Sequence, residues 1–535
     1  MSAEGARQNI SAESLRQKDR ETQFCIVVSV KVSFLVYLLS HRFSVVFLLE
    51  VTYMWKKFVD FLLVAVQTVN TYLSNYVLIV LLVGIGLFYT IKTRFVQVRC
   101  FGEGFRKTFG GMFKKTNGKG GLSSFQALAT AIAAQVGTGN VIGASSAILV
   151  GGPGAIFWMW IIAFFGMATI YGEAVLAQET RLLDDQGNIV GGGPVYYIKR
   201  AFKGKFGKFL AGFFAVAAML ALGFMGSMVQ SNSIASTSAE AFNIPTWTVG
   251  LAVALIAGFI FIGGIKRIAS VAEKVVPVMA ILYIVLGLVV IGVNVTKVPE
   301  AFGMIFKYAF QPNAIIGGSI GAALYQAISQ GAKRGLFSNE AGMGSTPHAH
   351  AMAKVKSPHD QGVVAMVGLF IDTFVVLTMT ALVVITCLYA GGGPLSAVAG
   401  EGAAAHITKA NMVQLSYGGV FGENLGNVFV AICLMFFAFT TIISWNFFGK
   451  VNFEYLFGKK ATIVYSVIAI GFIFVGSVFP NDLVWELTDM FNNLMVLPNV
   501  IALFALAGIV AKSAKLKGAP VEEQSQQPQA PQEEA

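Results

Sequence analysis

Gln135-Val136-Gly137-Thr138-Gly139-Asn140-Val141 stands inside an apolar run from about Phe125 to Val150. Two glycines in three residues suit a helix interior poorly, each costing roughly 1 kcal/mol against alanine. Two readings compete. In one, the glycines let neighbouring helices approach closely, as small-xxx-small motifs do. In the other, the helix opens here. A helix in a bilayer opens only where the freed amides and carbonyls find partners or line a cavity. A break near the midplane then offers backbone N–H groups and carbonyls to a small polar solute and an ion. Thr138 and Asn140 would add side-chain oxygens.

The surrounding composition favours the second reading. Of 535 residues, 56% are apolar and 12% charged, and the mean hydropathy is +0.70. Soluble domains carry about 25% charged residues. Many apolar runs reach the ~20 residues needed to cross a bilayer. The expected class is an all-α polytopic membrane protein. The net charge of +11 does not point to nucleic acid, because nearly all the excess falls in short loops, where the positive-inside rule places it. Cys25, Cys100, Cys387 and Cys433 are widely spaced, with no CxxC pair or Cys/His cluster. Neither a disulfide framework nor a zinc site is indicated. There is no HExxH, no paired catalytic acids and no GxxxxGK[ST] loop, so neither an enzyme nor an ATP-driven pump is expected. No ring of charge or repeated filter motif supports a channel.

Residues 1–53 differ from the rest and read as a doubtful N-terminal extension, with translation expected to begin at Met54. Residues 54–122 hold an amphipathic segment (Phe58 to Ser74), a first transmembrane helix (Tyr76 to Ile91) and a basic cytoplasmic loop. Ten further helices are expected near 123–150, 154–180, 207–239, 246–264, 270–293, 302–334, 361–390, 423–449, 461–479 and 482–511, making 11 spans. Loops assigned to the cytoplasm carry Arg181, Lys199, Arg200, Lys266, Arg267, Lys333, Arg334, Lys354, Lys356, Lys450, Lys459 and Lys460, among others; outer loops carry only Lys297, Lys307 and Lys409. Residues 512–535 read as a disordered cytoplasmic tail.

The ten helices divide into two sets of five, 123–293 and 313–511, joined by an outer loop at 294–312. The first helix of each set is glycine-interrupted: Gly137-Thr138-Gly139 in one, Gly317-Gly318-Ser319-Ile320-Gly321 in the other. Five is odd, so the second set enters the membrane from the opposite side. That is the arithmetic of an inverted repeat whose broken helices meet at the midplane.

Several motifs resemble one family closely. Gly151-Gly152-Pro153-Gly154-Ala155-Ile156-Phe157-Trp158-Met159-Trp160, continuing to Gly166, is similar to the signature of the alanine or glycine:cation symporters. Val136-Gly137-Thr138-Gly139-Asn140, the run from Arg334 to Ser345, and Gln230-Ser231-Asn232-Ser233 resemble three more of its motifs. The resemblance runs from about Met54 to Lys517. It implies a leucine-transporter-like 5+5 inverted repeat with one preceding helix. It also implies a symporter that couples sodium influx to uptake of a small neutral amino acid, alanine or glycine. A proton-coupled carrier is the alternative. The expected setting is the bacterial inner membrane, with the N-terminus of the core and the C-terminus cytoplasmic. No cofactor beyond co-transported sodium is implied, and a monomer is expected to suffice.

On this reading the amides of Gly137, Thr138 and Gly139 meet the substrate carboxylate, aided by the positive end of the following half-helix. No Arg or Lys lies in the segment, so a sodium ion supplies part of the countercharge. Asn140 is its best side-chain ligand, since hard cations take oxygen. Resemblance to the wider fold implies a second sodium on the Ala133 and Val136 carbonyls and the Thr440 and Thr441 hydroxyls. The alternative for the threonines is back-bonding to the preceding turn. The carbonyls of Gly317, Gly318, Ser319 and Gly321 are expected to accept from the substrate amine, with Gln230 nearby. Trp445, Gln230 and Ile320 are candidate pocket walls. Asn339 and Glu340 are expected to form an inner gate or cytoplasmic cap rather than the second break, because the segment after them is polar for a half-helix. Glu173, Asp372 and Asp489 fall within spans, where a carboxylate is a functional-site hypothesis. Glu173 would bridge open backbone at the breaks, and Asp372 would tune the cation or take a proton; each is equally readable as a satisfied structural group. His348, His350 and His359 are placed in a basic cytoplasmic loop without a special role.

Overall fold

A computed structural model describes residues 45–111, 121–311, 320–396 and 406–516. The chain divides into two compact units, Met1–Thr68 and Val69–Ala535. Helix α1 (Val45–Tyr72) begins in the first; everything else described here belongs to the second.

A π-helical stretch, Leu73–Leu78, leads into α2 (Ile79–Lys92). The interfacial segment and span expected as separate pieces are therefore both helical, and Tyr53–Lys92 forms one membrane-length stretch. An amphipathic helix, α3 (Phe101–Gly111), precedes α4 (Ser124–Gln135) and α5 (Ala144–Gly151). Then come α6 (Ala155–Glu179), a hairpin of β1 (Leu182–Leu183) and β2 (Ile189–Gly191), and α7 (Pro194–Ala201). Helices α8 (Gly204–Ala218) and α9 (Ser227–Phe242) are joined through π-helical Met219–Gly226. Next are α10 (Thr246–Ile262), α11 (Gly264–Val293), α12 (Val298–Tyr308) and α13 (Ile320–Asn339). The short α14 (Pro347–Ala351) follows, and α15 (Pro358–Phe370) and α16 (Thr378–Leu388) flank π-helical Ile371–Leu377. The chain continues with α17 (Met412–Phe421), α18 (Glu423–Phe457), α19 (Thr462–Gly476) and α20 (Asn481–Leu516).

Local sequence explains the starts. Ser123 and Gln126 form a reciprocal capping box at α4, which satisfies two amides that would otherwise lack partners. Pro194 and Pro358 sit in the first turns of α7 and α15, where a missing N–H costs nothing. The signature after α5 is steric in origin. Gly152 adopts φ +73°, and a Cβ on Gly154 would lie 2.2 Å from the Tyr308 backbone.

Eight described helices are long and apolar enough to cross a membrane, nine if the bent pair α4–α5 counts as one span. Two of the expected spans fall outside that criterion. Helix α10 has 17 residues, and α13 carries Lys333 and Arg334 in its interior. The span expected at 302–334 is divided, α12 ending at Tyr308 and α13 continuing to Asn339.

Candidate substrate and cation site

The first glycine pair breaks its helix. Helix α4 stops at Gln135, the Val136 backbone leaves the helical region (φ −79°, ψ 85°), and Gly139–Gly143 resumes as a π-turn leading to α5. The two halves meet at 47°. π-Turns inside helices concentrate at functional positions. Here a second one carries Asp372, and a third ends at Gly226 against Trp445.

The amides freed at this break are held by side chains. The Gly137 N–H donates to Asn140 Oδ1 at 3.1 Å. The Thr138 N–H and hydroxyl both donate to Gln230 Oε1, at 3.1 and 2.7 Å. Asn140 turns its Nδ2 to the Asp372 carboxylate at 2.7 Å. Ser338 Oγ (3.0 Å) and Thr373 Oγ1 (2.8 Å) also donate to Asp372. Asn140 and Asp372 are fully buried, and the hydrogen-bond partners described for Asp372 are all neutral. Beneath the break, the Thr441 hydroxyl lies 2.9 Å from the Ala133 carbonyl and 3.1 Å from Phe437 O, with one proton for the two acceptors. A Cβ on Gly137 would lie 2.4 Å from Thr441 Oγ1; only glycine fits there. Thr440 donates to Phe437 O at 2.9 Å, with Met279 Sδ 3.7 Å away. Gly139 abuts the Ser338 backbone.

A second break follows α13, after Asn339. Helix α13 runs unbroken to Asn339, and the chain then turns through Glu340 (φ +59°), Gly342 (+87°) and Gly344 (+79°) before α14. Asn339 and Glu340, expected at an inner gate or cap, stand at this turn. Gly317, Gly318 and Ser319 lie outside the described residues. Gly321 is exposed with open space around it, away from this buried loop. The side chain of Ile320 is likewise not described. The polar half-helix is tolerated because its polar groups are paired inside the protein. His348 Nδ1 meets Ser345 O at 2.7 Å and its Nε2 meets Asn452 Nδ2 at 2.9 Å. His350 Nδ1 meets Gln361 Nε2 at 2.8 Å. His348, His350 and His359 are each 1% exposed, so they are not in a solvated loop.

Glu173 on α6 binds the second break. It accepts from the amides of Gly342 (3.1 Å) and Gly344 (2.9 Å) and from Asn499 Nδ2 (2.7 Å). Glu340 accepts from Trp445 Nε1 at 2.5 Å and hydrogen-bonds Ser345 Oγ. Gln135, the last residue of α4, donates to the Asn339 carbonyl at 2.7 Å, tying one break to the other. Trp445 is buried, with Phe337 edge-on at 5.7 Å. Gly226 leaves it room, since a Cβ there would approach the indole to 2.3 Å.

Lys333 and Arg334, expected in a cytoplasmic loop, lie inside α13, Lys333 half-buried and Arg334 buried. Lys333 Nζ lies 2.8 Å and Arg334 Nη2 3.1 Å from Asp489 Oδ2 on α20. Arg334 also lies 4.8 Å from the Trp485 ring, which packs on Phe337. A cavity of about 510 Å³ opens beside His348 and Asn446. Sequence reading missed Ser338, Gln135 and Asn499. Ser338 lies within the Arg334–Ser345 motif, and Asn499 is an amide beside Pro498 in an apolar helix, so each left a trace.

Two adjacent broken helices, each supported by polar side chains from other spans, define a multi-pass secondary transporter of the leucine-transporter-like fold. The crystal structure of MhsT in complex with L-phenylalanine shares that fold, with a TM-score of 0.52 at 15% identity over 75% of this chain and 100% of the other. The chain belongs to the sodium:alanine symporter family, whose profile matches residues 59–532. It is 40% identical over 451 residues to the sodium/alanine symporter AgcS of Methanococcus maripaludis, covering 84% of this chain and 96% of that one. Two Bacillus subtilis relatives are also similar. The amino-acid carrier protein AlsT is 36% identical over 439 residues, covering 81% of this chain and 88% of AlsT. A protein named "Probable sodium/glutamine symporter GlnT" is 38% identical over 447 residues, covering 83% and 88%. The family is one of cation-coupled amino-acid symporters.

Proposed function

We propose that this protein couples sodium influx to uptake of a small neutral amino acid, alanine or glycine, across a bacterial inner membrane. The observation that carries the proposal is the first break. Its Gly137 and Thr138 amides are held by two neutral oxygens, beside a buried carboxylate, Asp372, whose described partners are all neutral. A substrate carboxylate replaces Gln230 Oε1 and Asn140 Oδ1 on those amides, with Gly139 adding a third. A lone charge buried in the membrane is costly, so a cation fits between Asp372, Asn140 and Ser338. The Ala133 and Val136 carbonyls and the Thr441 hydroxyl suit a second cation, with Thr440 at its edge. The substrate amine is received by Gln230 and by the carbonyls left unpaired where α13 ends. Trp445 and Phe337 limit side-chain size.

The residue sets 123–293 and 313–511 act as inverted halves. Lys333, Arg334 and Asp489 close the outer side, and the cavity beside His348 opens to the cytoplasm, on the side of the basic loops. A monomer suffices on this reading.

Reconstitution into liposomes tests it. An inward sodium gradient should drive saturable, electrogenic uptake of alanine or glycine, and leucine should compete poorly. Uptake that follows a pH gradient and ignores sodium would favour the proton-coupled reading, which Asp372 also permits. Glutamine preferred over alanine would overturn the small-substrate assignment.

A further inference from the structure

Asn446, Lys450 and Glu454 fall at i, i+4 and i+8 on α18, which places them on one face about 6 Å apart along the axis. All three line the cavity of about 510 Å³, with His348, Tyr196 and Phe261 among its other walls. Its inner end adjoins both helices of the site: Asn446 follows Trp445, and His348 stands in α14 just past the second break.

The cavity wall supplies unused polar groups at defined heights. Asn446 is 1% exposed, and its Nδ2 has no hydrogen-bond partner among the described residues. Its backbone carbonyl is already taken by the Tyr465 hydroxyl at 3.0 Å, which fixes this turn of α18. His348 has nothing to offer. Its Nδ1 faces a carbonyl, which only accepts, and its Nε2 faces an amide nitrogen, which only donates; both ring nitrogens are spent. Lys450 and Glu454 are half-buried, and neither side chain makes an ion pair or hydrogen bond with another described residue. A lysine four residues before a glutamate is the weaker order for a helical pair, so their mutual attraction gives little reason for the arrangement.

We infer that Asn446, Lys450 and Glu454 form a second, transient binding site for the transported zwitterion on its way out of the central site. The Asn446 amide and Lys450 ammonium take the carboxylate, and Glu454 takes the amine. The inference rests on the small neutral amino-acid reading above. Without such a relay, a zwitterion leaving the break would cross the apolar walls of Phe261, Ile265 and Ile268 with its charges unpaired.

The test uses the full-length protein in membrane vesicles of fixed sidedness, with labelled alanine offered to one face at a time. Lys450→Gln and Glu454→Gln should each raise the half-saturating alanine concentration about five- to tenfold at the cavity face and less than twofold at the other. The exchanged pair, Lys450→Glu with Glu454→Lys, should recover at least half of that loss. Uptake from the opposite face also reports that each variant is folded. Equal shifts at both faces, no shift at the cavity face, or no recovery in the exchanged pair would overturn the inference and leave the central site standing. Wild-type protein that carries no neutral amino acid from either face would overturn the transport reading itself.

Discussion

The threonine pair gives the sharpest test of the second cation site. Both hydroxyls reach Phe437 O, but Thr441 Oγ1 also lies 2.9 Å from the Ala133 carbonyl, whereas Thr440 Oγ1 is on the Met279 Sδ side. Adjacent helical residues point about 100° apart, so the two hydroxyls cannot both face the break equally well in this state. Thr→Val keeps the shape and removes the oxygen. A hydrogen bond to a charged group is worth about 1.5–3 kcal/mol, and an oxygen ligand on a monovalent cation is of that order. At about 1.4 kcal/mol per decade, Thr441→Val should raise the half-saturating sodium concentration roughly 10- to 100-fold. Thr440→Val should raise it less. The assay is initial-rate alanine uptake in proteoliposomes at varied internal-to-external sodium ratios, with detergent-solubilised thermal stability as the folding control. Unchanged sodium dependence in Thr441→Val would remove Thr441 from the site. A larger effect at Thr440 than at Thr441 would mean that the cation sits on the Met279 side of α18.

Other residues give independent checks. Shortening the pocket wall in Trp445→Ala removes a buried indole, at a cost of about 3–5 kcal/mol of stability. It should let serine, valine or leucine compete with labelled alanine but confer no lysine or glutamate transport, which a competition panel reads directly. Asp489→Asn leaves Lys333 and Arg334 without their nearest carboxylate, a loss of about 3–5 kcal/mol for a buried pair. Thiol labelling of a cysteine placed at Trp485 should rise at least severalfold in that variant; unchanged labelling would mean the cluster does not hold that side closed. At the edge of the fold, Lys107 lies 2.6 Å from both Glu103 and Asp360. Burial alone would raise the Glu103 carboxyl, but the Lys107 hydrogen bond and charge, with His359, hold it below the ordinary carboxylate value. A depressed carboxylate stabilises above its unfolded pKa, and the effect is lost as pH falls through the folded one. Lys107→Gln should therefore lower Tm slightly at neutral pH, by the equivalent of no more than about 1 kcal/mol for a half-exposed pair. The difference from wild type should vanish in acid.

The class of protein and the first break were legible in the sequence because glycines in an apolar run have few uses. Glu173, Asp372, Gln230 and Trp445 were legible because polar groups in spans must find partners, and all four lie at the breaks. The turn after Asn339 was not, because the segment from His348 looked too polar to be buried; Gly317–Ser319, the other break read from the sequence, lie outside the described residues. What rescues that segment is pairing of His348 with Asn452 and of His350 with Gln361 and, through its carbonyl, with the Gln178 amide, which no local pattern reveals. Lys333 and Arg334 failed for the same reason. Loop counting treats every basic residue as solvated, and their acid, Asp489, lies 155 residues from Arg334 along the chain.

The two breaks are held by different chemistry, and on the proposed reading that difference would orient the substrate. The amides of the first rest on neutral oxygens, Asn140 Oδ1 and Gln230 Oε1. Exchanging these for a carboxylate gains charge-assisted hydrogen bonds, which are roughly twice as strong. The amides of the second already rest on Glu173, which takes three N–H donors on its two oxygens and so acts as an acceptor throughout. Glu340 stands beside it. A second carboxylate there would find its donors occupied and two acids nearby, whereas an ammonium would be attracted. The carboxylate end should therefore bind the first break and the amine end the second. Alaninamide keeps the ammonium and lacks the carboxylate, so it should not compete for alanine uptake even at a hundredfold excess. N-acetylalanine, which lacks the ammonium, should fail as well. Glu173→Gln presents an N–H to donors that need an acceptor, so it should abolish transport even where folded protein is recovered. Alaninamide competing as strongly as alanine would show that the first break does not read the carboxylate, and the assignment of Gly137, Thr138 and Gly139 would fall with it.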